Sequence, residues 1–303
     1  MLRRRHLLAG LGAGLGTALA GSAYAMAIEP GLRLELRHYR PAPATWPAGL
    51  RLRIGVLTDL HAGGPHMLPR RVEAIAEAMA ALRPDLVVFL GDLNASHRFL
   101  TRRVPPAESA AILARRLRPP LGLHAVLGNH DWWDDPAAFR AGSPRLVRPE
   151  TERALRAAGI PVLENEAVRL RQDGRAFWLA GLGSLWAFGG AMGAWRGVDD
   201  LPATLAAVPE DDDAPVVLLA HEPDIFPRVP ARVALTLSGH THGGQVRLPG
   251  WAPVVPSHYG DRYVHGHIVE DGRHLVVSAG LGTTGLPVRF GVPPEIVLVE
   301  LGG

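Results

Sequence analysis

Five short apolar runs, each stopping on a polar residue, constrain this chain more than any other feature. "RLRIGVLTD" (51–59), "PDLVVFLGD" (84–92), "LGLHAVLGNHD" (121–131), "APVVLLAHEPD" (214–224) and "ARVALTLSGHTHGG" (231–244) share one plan: apolar residues, then Gly or another small residue, then Asp, Asn or His. Continuous apolar runs of this length are those of strands buried on both faces. Leu68 to Leu82 has the apolar spacing of a helix, so the first two runs read as strand, helix, strand. Such a unit builds an α/β sheet with parallel strands, and the residues that follow parallel strands gather at one edge of the sheet. Five strand ends are therefore expected to converge on one place.

The residues at those ends are Asp59 and His61, Asp92, Asn129 and His130, His221, and His240 with His242. The chain has no cysteine, which excludes disulfides, thiolate zinc sites and cysteine nucleophiles. Any metal must be held by nitrogen and oxygen, and carboxylates, imidazoles and an amide oxygen suit Mn, Fe, Zn or Co better than copper. The set is large enough for two divalent ions, and Asp92, central and without a His on its own strand, is the natural shared carboxylate. In an extended segment residues two apart project to the same side, so His240 and His242 can each reach a different ion. Gly239, Gly243 and Gly244 then let the backbone approach the metals and turn away.

In order along the chain these residues make the pattern D-x-H, G-D, G-N-H-[DE], H and G-H-x-H, and from Arg51 to Leu301 the sequence resembles the calcineurin-like metallophosphoesterases. The resemblance implies a four-layer α/β/β/α sandwich of two mixed sheets with helices outside. It implies that Asp59, His61, Asp92 and His242 bind one metal, and that Asp92, Asn129, His221 and His240 bind the other. His130 would be no ligand; it would assist the phosphoryl group or the leaving oxygen, with Asp131 orienting its ring. The implied reaction is hydrolysis of a phosphodiester or pyrophosphate by a hydroxide bridging the metals, with no covalent intermediate. "HEPD" at His221, "SGHTHGGQVRLP" from Ser238 and "SAGLGTTGLPVRFGVPPEIVLVEL" from Ser278 are most similar to the exported or membrane-tethered YkuE and YaeI type, related to UDP-2,3-diacylglucosamine hydrolases. "AGLGSLWAFGG" at Ala180 departs from that subgroup, which usually has an acid-containing turn there. Rival readings are a non-catalytic scaffold on the same fold, or a soluble nucleotide or phosphomonoester phosphatase.

Residues 1–26 read as a twin-arginine-like signal or a membrane anchor: Arg3 to Arg5 precede a Gly/Ala/Leu stretch and an A-x-A arrangement at Ala23 and Ala25. Residues 27–50 are a Pro-rich linker or edge strand, with a short strand expected at Leu32 to Tyr39, and 51–303 form the phosphoesterase domain. The expected location is periplasmic or otherwise extracytoplasmic, with membrane association through the N-terminus. The net charge of +3 suits anionic substrates or surfaces, whereas scattered arginines give no stripe for nucleic acid. A lipid-linked substrate is expected, with the tryptophans at 132, 133, 186 and 195 as a rim or groove. His38, His97, His124, His258, His265, His267 and His274 read as surface or core residues, and His66 is ambiguous. Arg289 reads equally as a phosphate grip or a structural ion pair. The run around Asp271-Gly272 reads as a hairpin.

Overall fold

Alternation explains why the apolar runs are continuous. The computed structural model describes residues 19–189, 195–249 and 251–303, so the Arg3 to Arg5 head and most of the 1–26 leader lie outside the described residues. The strands are β1 (Glu35–Tyr39), β2 (Leu52–Leu57), β3 (Leu86–Phe89), β4 (Leu123–Ala125), β5 (Glu166–Gln172), β6 (Arg175–Gly181), β7 (Phe188–Gly189), β8 (Trp195–Arg196), β9 (Val216–Leu219), β10 (Val233–Ser238), β11 (Gly266–Glu270), β12 (Arg273–Val277) and β13 (Glu295–Leu301). In β3, Leu86 and Val88 face one apolar layer and Val87 and Phe89 another, so both faces of the strand are buried and no polar residue can interrupt it.

The first sheet has the order β1-β13-β2-β3-β4, with β2, β3 and β4 parallel and β13 antiparallel to β2. The second has the order β11-β12-β10-β9-β6-β5, with β12, β10, β9 and β6 parallel and the edge strands antiparallel. The sheets pack face to face through Ile54, Val56, Val88, Leu219, Leu235 and Val297. Helix Pro69–Ala81 lays Val72, Ile75, Ala76 and Met79 on the outer face of the first sheet, the i, i+3, i+4, i+7 stripe of an amphipathic helix. Helices Pro106–Arg116 and Glu150–Ala157 complete that layer. Helix Leu201–Ala206 and the turn Pro223–Arg228 cover the other sheet, giving four layers, α/β/β/α.

The hairpin forms where expected: Asp271 and Gly272, both at positive φ, connect β11 to β12. At the other end of the chain β1 is an edge strand, parallel to β13. Before it, the helical turns Tyr24–Ile28 and Glu29–Leu32 dock on the body, where the buried Glu29 carboxylate accepts from the backbone N–H groups of Gly291 and Val292 at 3.1 and 2.6 Å. Among the described residues no helix is long and apolar enough to cross a membrane.

Candidate metal centre

The ends of β2, β3, β4, β9 and β10 meet at one edge of the two sheets, and Asp59, His61, Asp92, Asn129, His221, His240 and His242 are all buried there. Asp59, His61, Asp92, His240 and His242 have positive φ, between 41° and 69°. Non-glycine residues pay roughly 1–3 kcal/mol each for such backbone, and its concentration here marks a site in which geometry is maintained against strain. It also corrects one expectation. His240 and His242 are not on an extended segment; they sit on a tight turn whose Thr241 hydroxyl accepts from the Gly243 N–H at 3.3 Å. Gly239 is required by close approach, since a Cβ there would collide with Thr58 and with the Asp59 carboxylate.

His61 Nε2 and His242 Nε2 are 3.2 Å apart, and His242 Nε2 is 3.3 Å from Asp59 Oδ1. Across the site Asn129 Oδ1 is 2.9 Å from His240 Nδ1. Asp92 Oδ2 lies between the two groups, 3.4 Å from His61 Nε2 and 3.3 Å from His221 Nε2. Asp59 Oδ1, His221 Nε2 and His240 Nε2 are buried with no hydrogen-bond partner among the described residues. Leaving such atoms unpaired costs about 1–3 kcal/mol each. Converging lone pairs of this kind fit divalent cations, one beside Asp59, His61 and His242, another beside Asn129, His221 and His240, with Asp92 able to serve both. Burial pushes His61 well below the usual imidazole range, and burial with His221 nearby holds His240 down at about 3. Both rings are therefore neutral, the form that gives a lone pair to a metal. His221 Nδ1 donates its N–H to the Leu90 carbonyl at 2.6 Å, which turns Nε2 toward the site.

His130 is set differently. Its backbone N–H donates to Asp92 Oδ1 at 2.9 Å, its Nδ1 lies 3.2 Å from Asp134, and its Nε2 lies 3.1 Å from the Thr284 hydroxyl. Burial would lower this imidazole, but Asp92 and Asp134 outweigh it and raise it above the ordinary value. Asp131, expected to orient the ring, does not: it accepts backbone N–H bonds from Asp92, Leu93 and Gly128 at 2.8–3.0 Å. Asp134 holds the ring because residues four apart share a helix face, a spacing visible in the sequence and overlooked there.

Other candidates settle elsewhere. Arg289 is fully buried and donates to the carbonyls of Gly282, Val292 and Ala279, with Nη2 3.2 Å from His242 Nδ1; it is a structural brace, and not a phosphate grip. Trp132 is buried against Phe188, so it lines no groove. Trp133, Trp195 and Trp186 form a stack, with ring centroids 5.0 and 5.3 Å apart, reaching from His130 to His240. Glu222 lies near His221 and His240, but its carboxylate is taken by the Ser184 hydroxyl at 2.5 Å and the Leu185 N–H at 2.9 Å, so it positions the Trp186 loop. His66 lies 3.2 Å from the Pro287 carbonyl, and His265 binds Glu295.

A family model described as calcineurin-like phosphoesterase matches residues 52–271. The metallophosphoesterase YkuE of Bacillus subtilis is 30% identical over 99% of this chain and 98% of its own length. The phosphodiesterase YaeI of Escherichia coli is 30% identical over 99% of this chain and all of its own. A metallophosphoesterase of Aquifex aeolicus is 30% identical over 89% of this chain and 92% of its own length.

Proposed function

The chain belongs to the calcineurin-like phosphoesterases, and from that membership we propose that it hydrolyses a phosphodiester or pyrophosphate bearing a lipid-like group. The observation that carries the hydrolytic part is the convergence of unpaired Asp59, His221 and His240 atoms around Asp92, beside His130, whose Nδ1 lies 3.2 Å from Asp134. Two divalent cations bound there would supply a water of low pKa and offset charge on the phosphoryl oxygens. The chain's own part is proton delivery. With Nδ1 tied to Asp134 and Nε2 beside Thr284, His130 is placed to give a proton from Nε2 to the departing oxygen as the P–O bond breaks, while the attacking water supplies the oxygen gained by phosphorus and the proton it releases restores His130. Diesters and pyrophosphates suit this arrangement because they carry less negative charge at phosphorus than monoesters do. The Trp133–Trp195–Trp186 stack covers the same edge and restricts water.

The lipid-like group is supported by a cleft of about 460 Å³ that starts at His242 and Thr284 and continues between Val246, Val254, Leu286 and Val288. Val254 and Leu286 are more than half exposed, an arrangement that favours an apolar guest. A chain entering the cleft gains about 0.8 kcal/mol per buried CH₂. On this reading the apolar rim lies on the loops after β10 and β12 and not at the tryptophans. An extracytoplasmic, membrane-associated location is the matching proposal, motivated by Arg3 to Arg5 and the apolar stretch behind them. The test compares kcat/KM of the metal-loaded protein for long-chain and short-chain diesters of one head group, in the natural chain and in Leu286→Asp. A long-chain preference of about tenfold, lost in the variant, is expected; equal values remove the lipid claim and leave hydrolysis of bis-p-nitrophenyl phosphate to test the metal chemistry. For location, Arg4→Lys with Arg5→Lys should abolish export, and unchanged export would refute the assignment.

A further inference from the structure

A second cleft, of about 390 Å³, is lined by Trp186, whose ring meets His240 of the metal centre edge-on at 4.6 Å and His258 at 5.2 Å. His258 is held in an unusual way for an exposed side chain. Asp224, itself buried, accepts from the Ser257 hydroxyl at 2.6 Å, from the His258 backbone N–H at 2.8 Å and from His258 Nδ1 at 2.9 Å. The imidazole is 61% exposed and needs no orientation for stability. Burying a carboxylate has a desolvation cost; what it achieves here is one tautomer, with the proton on Nδ1 and Nε2 presented to the cleft. Beside it stand the Arg228–Asp199 ion pair at 3.0 Å and the near-parallel rings of Trp186 and Trp195, 6° apart.

We infer that this cleft is the subsite for the polar arm of the substrate, a hydroxyl-bearing ring such as a sugar or nucleoside, with His258 as its specificity-determining residue and Asp224 as the positioning residue behind it. The inference rests on the phosphodiester reading above and deepens it. Charges of both signs on Arg228, Asp199 and Asp224 leave no net attraction for a second phosphate, whereas paired donors and acceptors, with Trp186 and Trp195 stacked on each other in the cleft lining, match a ring that carries several hydroxyls. The apolar cleft at Val246 and Leu286 includes His242, whereas this one reaches His240 through Trp186, so the two arms of one diester would meet unlike surroundings.

The experiment uses the metal-loaded full chain and three p-nitrophenyl diesters whose second arm is methyl, glucose 6-yl or thymidine 5′-yl. At least one ring arm should exceed methyl about tenfold in kcat/KM, and the glucose and thymidine arms distinguish sugar from nucleoside. In His258→Ala, and more weakly in Asp224→Asn, the ratio of ring to methyl kcat/KM should fall about tenfold, chiefly through KM, with partial rescue in His258→Gln. A purely structural role would lower both substrates together and leave the ratio unchanged, which would overturn the inference, as would the absence of any ring preference. If no diester is hydrolysed, the phosphodiester reading fails by itself. Calorimetric binding of glucose 6-phosphate and thymidine monophosphate then decides the subsite: binding about tenfold tighter than inorganic phosphate, lost in His258→Ala, supports it, and equal binding refutes it.

Discussion

Replacing Asp92 by Asn should remove both metal ions together. Asp92 Oδ2 lies 3.4 Å from His61 Nε2 and 3.3 Å from His221 Nε2, so it reaches a ligand from each half of the site. Its Oδ1 accepts the His130 backbone N–H at 2.9 Å, a bond an amide oxygen can keep, so the fold should survive. The size of the effect follows from linkage. An ion present at a thousand times its dissociation constant stabilises the native state by about 4.1 kcal/mol, and two such ions by about 8 kcal/mol. In a chain of this size about 2 °C of Tm accompanies each kcal/mol, so chelation should lower the Tm of the natural protein by roughly 16 °C. The Asp92→Asn variant should show only a small part of that shift, with metal analysis below one ion per chain and hydrolysis of bis-p-nitrophenyl phosphate near background. A variant that keeps one ion at full affinity and half of the chelator-sensitive shift would refute a shared carboxylate.

Two further outcomes are expected. His130→Ala should purify with near-normal metal content while kcat falls about 10²–10⁴-fold, the usual contribution of a positioned acid, whereas His240→Ala should lose metal; a His130 variant without metal would make it a ligand. Glu164 has Oε1 3.1 Å from Arg148 Nη1 and a buried Oε2 without a partner among the described residues. Burial, only partly offset by Arg148, pushes its carboxyl up to about 7. A folded pKa above the unfolded one means that this contribution to stability is fully present below about pH 4.5 and is lost as pH rises through about 7. Glu164→Gln should therefore gain roughly 2–3 kcal/mol relative to the natural chain between about pH 5 and pH 8 in denaturant unfolding; parallel pH profiles for the two proteins would contradict this.

Local pattern by itself determined the five strands that end at the site, the helix at Pro69–Ala81, the Asp271-Gly272 turn and the polar residues at those five strand ends; the choice of ligands among them came from the family resemblance. A strand buried on both faces must be apolar throughout, so the first Asp, Asn or His after it is legible as a residue at the sheet edge. Which side chains meet once they reach that edge was decided by the tertiary structure. Asp131 and Asp134 are both near His130 in sequence, but one turn of helix sends Asp131 to the backbone of Asp92 and Leu93 and leaves Asp134 on the ring. The left-handed turn at His240 and His242 replaced the extended segment that alternation suggested, because the strain of that backbone is offset only by contacts across the site. Trp133, Trp186 and Trp195 stack, and Asp224 takes hold of His258, across long gaps in sequence: 53 residues for the Trp133–Trp186 hydrogen bond and 34 for Asp224–His258. Periodicity records which face of an element is buried; it holds no record of what arrives from another part of the chain to face it.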